Sequence, residues 1–270
     1  MQDIHLYNKY HLGDQLYNIH FLSKYVKEFP EFRFFNYMLS EYINESDKHR
    51  HPGTEENIIN LPLDQCPSTA NDHWINRDGL YERWIAGAGQ YNYVDFDIFY
   101  INFYKYLFET LNLPVPNWTA KDSMFDHPVI MEKFKNLEFD FLFINSESRS
   151  GQWPNDPKHF NDMIGILNAE GYDIVTTEKS SHLNIPSTMR DYKLNLLQLG
   201  SLMNNCKYII GKHTAPWLFS FNEGRNNIFS ICCHVRGLSY SPNNVYPVRH
   251  RYDEIYKILE REGILQKSKF

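Results

Sequence analysis

Three short stretches of the chain carry residue types in an order that can do chemistry. In the first, Tyr10-His11-Leu12-Gly13-Asp14-Gln15, a glycine and a carboxylate follow an apolar-alternating run over residues 4–7. They precede residues 16–26, whose apolar side chains recur every three or four positions. This is the pattern of a strand, a tight turn made possible by glycine, and a helix. The carboxyl end of a strand is where open α/β sheets bind ligands. Asp14 is then either a catalytic carboxylate or the cap of the helix beginning at Gln15, since aspartate satisfies free helix N–H groups well.

The second stretch, Gly211-Lys212-His213-Thr214-Ala215-Pro216, leaves another strand and enters an apolar helix. Free N–H groups, a hydroxyl, a favourable dipole and two basic side chains together suit an anion such as a phosphate. Thr214 also serves as a helix cap, a role compatible with ligand contact. In the third stretch, Ser146-Glu147-Ser148-Arg149-Ser150-Gly151-Gln152-Trp153-Pro154, an arginine lies between two hydroxyls. Such a group holds a diphosphate by bidentate and hydroxyl hydrogen bonds; a plain surface loop is the alternative.

Other stretches carry weaker signals. Asp95-Phe96-Asp97 has the D-x-D form that can offer hard oxygen ligands to a divalent cation, although an aspartate opening a helix explains it equally simply. His49 and His51 lie in a polar, turn-forming stretch over residues 45–53 without a completing carboxylate or thiolate at metal-site spacing. Gly87-Ala88-Gly89 lacks the third glycine and the preceding strand of a phosphate loop. Cys66, Cys206, Cys232 and Cys233 show no C-x-x-C spacing and read as buried thiols.

The elements that must position these groups repeat in style. Strands are expected at 4–7, 32–39 and 58–63, with the first helix between the first two, which gives a β-α-β start with parallel pairing. Residues 71–89 show no clear period. Residues 99–113 carry Tyr100, Phe103, Tyr104, Leu107, Phe108 and Leu111 at helical spacing, a core helix. Pro114 and Pro116 then break the pattern and place a boundary near residue 122. Beyond it, strands are expected at 138–145, 172–177, 207–211 and 227–232. Helices are expected at 158–169, stopped by Gly171, at 194–203, through Trp217, Leu218 and Phe219, and at 252–263. The chain therefore reads as two tandem Rossmann-like α/β halves, 1–122 and 123–250, followed by a C-terminal helical segment, 251–270, that packs back.

Length and composition bound the function. The 270 residues are 42% hydrophobic and 16% aromatic, enough for a substantial core. The net charge of −6 argues against general nucleic-acid binding. There is no apolar run of the ~18 residues that a membrane span requires and no signal-peptide pattern at the start, so a cytoplasmic protein without a transmembrane segment is expected.

Gly13-Asp14 after the first strand, Arg149 through Trp153-Pro154, and Thr214-Ala215-Pro216 together resemble the motifs of GT-B-type glycosyltransferases, and more narrowly of the lipopolysaccharide heptosyltransferase-like family. The resemblance covers most of the chain in order and spacing. It implies two Rossmann-like domains facing a cleft, the N-terminal one on the acceptor side and the C-terminal one holding a nucleotide-sugar donor. It further implies an inverting transfer to a glycan hydroxyl, with Asp14 as general base and His11 and Gly13 beside the acceptor. Arg149, Ser150, Gln152, Lys212, His213, Thr214, Ala215 and Pro216 would bind the donor. No metal and no cofactor are implied beyond the nucleotide-diphosphate sugar as co-substrate. Ala215 stands where the family has glycine and His213 where it has an acid, so a heptose donor is not implied. Two alternatives remain: a metal-dependent GT-A-like transferase using Asp95 and Asp97, and a non-catalytic protein that binds nucleotide sugars or carbohydrates.

Overall fold

The structure, a computed structural model, describes residues 1–9, 12–50, 52–72, 96–125, 132–146, 157–182, 184–212, 214–220, 229–233, 245–248 and 252–265. The chain divides into two compact units, Met1–Ser123 and Met124–Phe270, each built on its own parallel sheet.

In the first unit, β1 (Gln2–Asn8), β2 (Phe32–Met38), β3 (Ile58–Pro62) and β4 (Asn71–Asp72) lie in the spatial order β3-β2-β1-β4. Every pairing is parallel, with Leu6 opposite both Asn36 of β2 and Asn71 of β4. Parallel neighbours require crossovers, which α1 (Leu12–Glu28) and α2 (Ser40–Asp47) supply. Along β1 the side chains alternate, Ile4, Leu6 and Asn8 being buried while His5 and Tyr7 are half-buried.

The core of this unit is largely aromatic, and its geometry follows from spacing. On α1, Tyr17, Phe21 and Tyr25 recur every four residues, as do Tyr100, Tyr104 and Phe108 on α3 (Phe96–Thr110). The two rows meet rung by rung: Tyr17 stacks on Tyr100 at 3.8 Å between centroids, Phe21 on Tyr104 at 4.2 Å and Tyr25 on Phe108 at 3.9 Å. Rows at four-residue spacing lie on one helix face, so a single register aligns all three pairs. Burial of each such side chain stabilises by about 1.5–3 kcal/mol, and each ring pair adds about 0.5–1.5 kcal/mol. The α3 helix ends with Asn112 at φ 55° and Leu113 donating to the Phe108 carbonyl at 2.9 Å, a left-handed C-terminal cap.

In the second unit, β5 (Phe139–Ile144), β6 (Ile174–Thr176), β7 (Cys206–Lys212), β8 (Phe229–Cys233) and β9 (Val245–Val248) form an all-parallel sheet ordered β6-β5-β7-β8-β9. Its helices are α4 (Pro157–Ala169), α5 (Leu196–Met203) and α6 (Tyr252–Arg261). Phe141, Phe143 and Ile210 from the sheet pack with Phe160, Met163, Ile164 and Leu167 of α4. Ile255 and Leu259 of α6 complete that core, so the C-terminal helix packs within the second unit. The α4 helix stops where expected: Gly171 takes φ +87° and Tyr172 donates to the Leu167 carbonyl at 3.2 Å. Asn195 caps α5 with a capping box closed by Gln198.

Several expectations are corrected. The first helix begins at Leu12, ahead of Gln15, so Gly13 and Asp14 belong to its first turn and neither is a loop residue. Residues 45–47, expected in a loop, end α2, a helix with only Tyr42 and Ser46 buried and hence little apolar period to read. The segment after Thr214 is a 3-10 helix over Ala215–Ser220 rather than a longer α-helix. Both β4 and β9 fall where no strand was expected; they have two and four residues, too few for a period-two pattern to show.

Candidate functional site

Each sheet reverses strand order beside its first strand. β1 has β2 on one side and β4 on the other, and β5 has β6 on one side and β7 on the other. In doubly wound sheets, chains leaving the carboxyl ends on either side of such a point part to opposite faces and open a crevice, where ligands bind. The three chemically suggestive stretches follow β1, β5 and β7, the strands that flank these two points.

At the first point, the chain leaves β1 at Asn8 and enters α1 at Leu12. The Gln15 side chain, fully buried, donates from Nε2 to the Asn8 carbonyl at 2.9 Å and so ties the start of the helix to the end of the strand. Asp14 is half-buried in that first turn, where free N–H groups and the helix dipole favour a carboxylate by about 0.3–1 kcal/mol. Its charge is felt in the aromatic core: burial, then Tyr100 and the Asp14 carboxylate, hold the Tyr104 hydroxyl well above its ordinary pKa. Asp14 therefore stands at the end of the aromatic ladder, with Tyr17 one turn away. Gly13 is half-buried beside it. His11 lies outside the described residues.

At the second point, Gly211 of β7 faces Ile144 of β5 across the pair of strands. A β-carbon at Gly211 would sit 2.5 Å from Cβ of Ile144, so only glycine lets these two strands approach as they do. Lys212, the last residue of β7, is 1% exposed, and its ammonium lies 5.9 Å from the centroid of the Phe160 ring, within cation–π range. The hydroxyl of Thr214 donates back to the Lys212 carbonyl at 3.4 Å, and the Thr214 carbonyl accepts from the Trp217 N–H at 2.9 Å. This hydroxyl contact closes the turn on its strand side. Ala215 and Pro216 open the 3-10 helix, which Trp217, Leu218 and Phe219 anchor in the core at 0–1% exposure. Six residues accumulate little macrodipole, so the helix itself offers little to an anion here. Arg149, Ser150, Gln152 and His213 lie outside the described residues, as does Asp95. Asp97 is the second residue of α3. Among the described residues no group of three or more His, Cys, Asp and Glu side chains gathers as metal ligands.

One feature of this end of the sheet escaped the sequence reading. Asn145, just past β5, is bound to the chain leaving β6: its Oδ1 accepts from the Thr177 hydroxyl at 3.0 Å and from the Glu178 N–H at 2.9 Å. The Thr177 hydroxyl also accepts from the backbone N–H groups of Asn145 and Ser146 at 3.0 and 3.1 Å. These bonds fix how the chain leaves β5 at Asn145 and Ser146 and set Glu178 at the carboxyl end of β6. The signal was present in sequence as polar residues directly after two apolar strands, but adjacency of β5 and β6 was needed to give it meaning.

Neither a family model nor a curated protein matches the sequence. Solved structures do. The glycosyl transferase family 9 protein from Veillonella parvula aligns over 98% of this chain and 90% of its own, with a TM-score of 0.53 and 14% identity. The Escherichia coli heptosyltransferase WaaC with ADP-2-deoxy-2-fluoro heptose aligns over 97% of this chain and 100% of its own, with a TM-score of 0.54 and 10% identity. The iron-containing dodecameric glycosyltransferase TibC from enterotoxigenic E. coli aligns over 91% of this chain and 62% of its own, with a TM-score of 0.51 and 13% identity. The likeness is one of fold, and the parallel-sheet α/β architecture is that of glycosyltransferase family 9 and heptosyltransferase structures.

Proposed function

We propose that the protein is an inverting glycosyltransferase that moves a sugar from a nucleotide-diphosphate sugar to a glycan hydroxyl. The observation that carries this reading is that a half-buried carboxylate stands at the strand-order reversal of one sheet and a buried ammonium at that of the other, in a fold shared with glycosyltransferases. The first unit takes the acceptor and the second the donor, the division of labour of GT-B enzymes. Asp14 takes the acceptor hydroxyl proton as that oxygen forms its bond to the anomeric carbon. The bond from that carbon to the diphosphate breaks on the opposite face, and its electron pair leaves on the phosphate oxygen, inverting the configuration. Gly13 and His11 border the acceptor.

On the donor side, Arg149, Ser150, Gln152, His213 and Thr214, with the N–H of Ala215 and the turn set by Pro216, receive the diphosphate. Lys212 adds positive potential from within, which grows in worth as water is excluded. Glu178 lies where an acid in a nucleotide-binding α/β unit accepts from ribose hydroxyls. Because one neighbour holds an ADP-sugar analogue, ADP-linked sugars are the first donors to try. No cofactor enters, and the leaving group is stabilised by basic side chains and N–H groups without a metal, so turnover should survive a chelator. Among the described residues no helix is long and apolar enough to cross a membrane; we place the reaction in the cytoplasm.

The deciding variant is Asp14→Asn. It should lower kcat by about 10²–10⁴-fold, the range of general-base catalysis, while donor affinity measured by calorimetry stays within a few-fold. Retained turnover would remove Asp14 as the base. Activity lost on chelation and restored by a divalent ion would favour the metal-dependent alternative.

A further inference from the structure

Beneath the turn that carries Asp14 runs a line of buried amides for which the mechanism above has no use. Asn18 on α1, Asn36 on β2 and Asn60 on β3 are 0%, 0% and 7% exposed. Nδ2 of Asn18 donates to Oδ1 of Asn36 at 2.6 Å, and Nδ2 of Asn36 to Oδ1 of Asn60 at 2.9 Å. Nδ2 of Asn60 donates to Oδ1 of Asp47 at 2.7 Å, and the same carboxylate is paired with Arg50. Asp47 is 40% exposed and Arg50 16%, so the line begins at a surface ion pair and ends inside, on the first helix.

The order of donors is not arbitrary. A carboxylate only accepts, so Asp47 obliges Asn60 to turn its nitrogen outward and its oxygen toward Asn36. That oxygen obliges Asn36 to present its nitrogen, leaving its own oxygen for Asn18. One charge at the surface thereby fixes the orientation of three buried amides, and each bond polarises the next. Asn18 follows Asp14 by four residues, on the same helix face, and helical side chains lean toward the preceding turn. Among the described residues, Oδ1 of Asn18 is buried without a hydrogen-bond partner. An apolar core here would avoid that unmet acceptor, whereas a fully oriented amide line specifies one rotation of α1 against the sheet.

We propose that Asn18, Asn36 and Asn60, oriented by Asp47 and Arg50, are positioning residues that set the rotation of the first two turns of α1 and hence the placement of Asp14. This rests on the assignment of Asp14 as base. The loss is expected in kcat rather than in donor binding, since misplacing a catalytic group by a fraction of an ångström costs rate and leaves the donor side untouched.

The test compares release of nucleoside diphosphate from ADP-sugars by the full chain and its variants, with kcat, KM for the donor and melting temperature measured together. Asn36→Leu should lower kcat by about tenfold to a hundredfold with donor KM within twofold. Asp47→Asn, a half-exposed change that spares the fold, should lower kcat severalfold with little change in melting temperature. Ile58→Ala, on the neighbouring strand β3 and 0% exposed, serves as the destabilised control, expected to melt earlier yet keep kcat within twofold below its transition. Unchanged kcat in Asn36→Leu, or in Asp47→Asn should the former not fold, overturns the positioning role alone, as does an equal loss in Ile58→Ala. A wild-type chain that turns over no donor overturns the glycosyltransfer reading and this role with it.

Discussion

Gly211 shows how narrowly one residue can be constrained by its strand neighbour. Its missing side chain is what allows β7 to lie against β5 at the strand-order reversal, with Cβ of Ile144 only 2.5 Å from the place a β-carbon would take. That carbon is the first of a β-branched side chain on a strand, so it cannot rotate out of the way. Gly211→Ala should destabilise by about 1–3 kcal/mol, the usual cost of overpacking a core. Urea unfolding would check it, and a midpoint equal to the wild type would show that the strands part freely. Asp14 makes a different point at the same scale. Aspartate in a first helical turn is expected for stability alone, yet its neighbourhood of Gln15, Tyr17 and the Tyr104 hydroxyl sets it at the end of a strand and the end of an aromatic ladder.

At the scale of elements, α2 is the segment least explained by hydrophobic period and most by charge. Burial pushes the Glu45 carboxyl up, but hydrogen bonds from His49 and Lys48, with their charges, outweigh it and hold the pKa at about 2, below its ordinary value of 4.5. The bonds are 3.1 Å from His49 and 2.9 Å from Lys48. A carboxyl whose folded value is depressed contributes stability above its unfolded value and loses it as pH falls through the folded one. Stability from this cluster should therefore be complete above about pH 4.5 and decline toward pH 2. Glu45→Gln should flatten that part of the curve of unfolding free energy against pH, lowering stability in the neutral region, where the contribution is complete, and leaving it nearly unchanged near pH 2. An acid limb as steep as the wild type's would assign the loss to other carboxylates. The contrast with α1 and α3 is physical: their stability is apolar and follows from side chains repeating every four residues, whereas α2 depends on pairs that form only at its end.

For the whole molecule, donor binding can be tested without an acceptor. A nucleotide sugar that binds the folded chain and not the unfolded one stabilises it by about 2.7 kcal/mol at a hundred times its dissociation constant. A thermal-shift panel of UDP, GDP, ADP and CMP with their sugars should show one base raising the melting temperature clearly above the rest, ADP being the first candidate. A flat panel would sink the donor site in the second unit, whatever Asp14 does in the first.

Much of this protein was determined by local order along the chain. The strands β1, β2, β5 and β7 and the helices α1, α3, α4 and α6 were legible because each is long enough for a period of two or 3.6 to repeat and bury one face. Gly171 as a helix stop and the three suggestive stretches at strand ends were legible for the same local reasons. What no local pattern carries is which strands become neighbours. The strand orders β3-β2-β1-β4 and β6-β5-β7-β8-β9 arise from pairing across tens of residues. Only they bring the exits of β1, β5 and β7 to points of reversal, join Asn145 to Thr177, and align Asn18, Asn36 and Asn60 into one line. Side-chain chemistry is written residue by residue; its convergence depends on burial and strand pairing that the whole fold must satisfy at once.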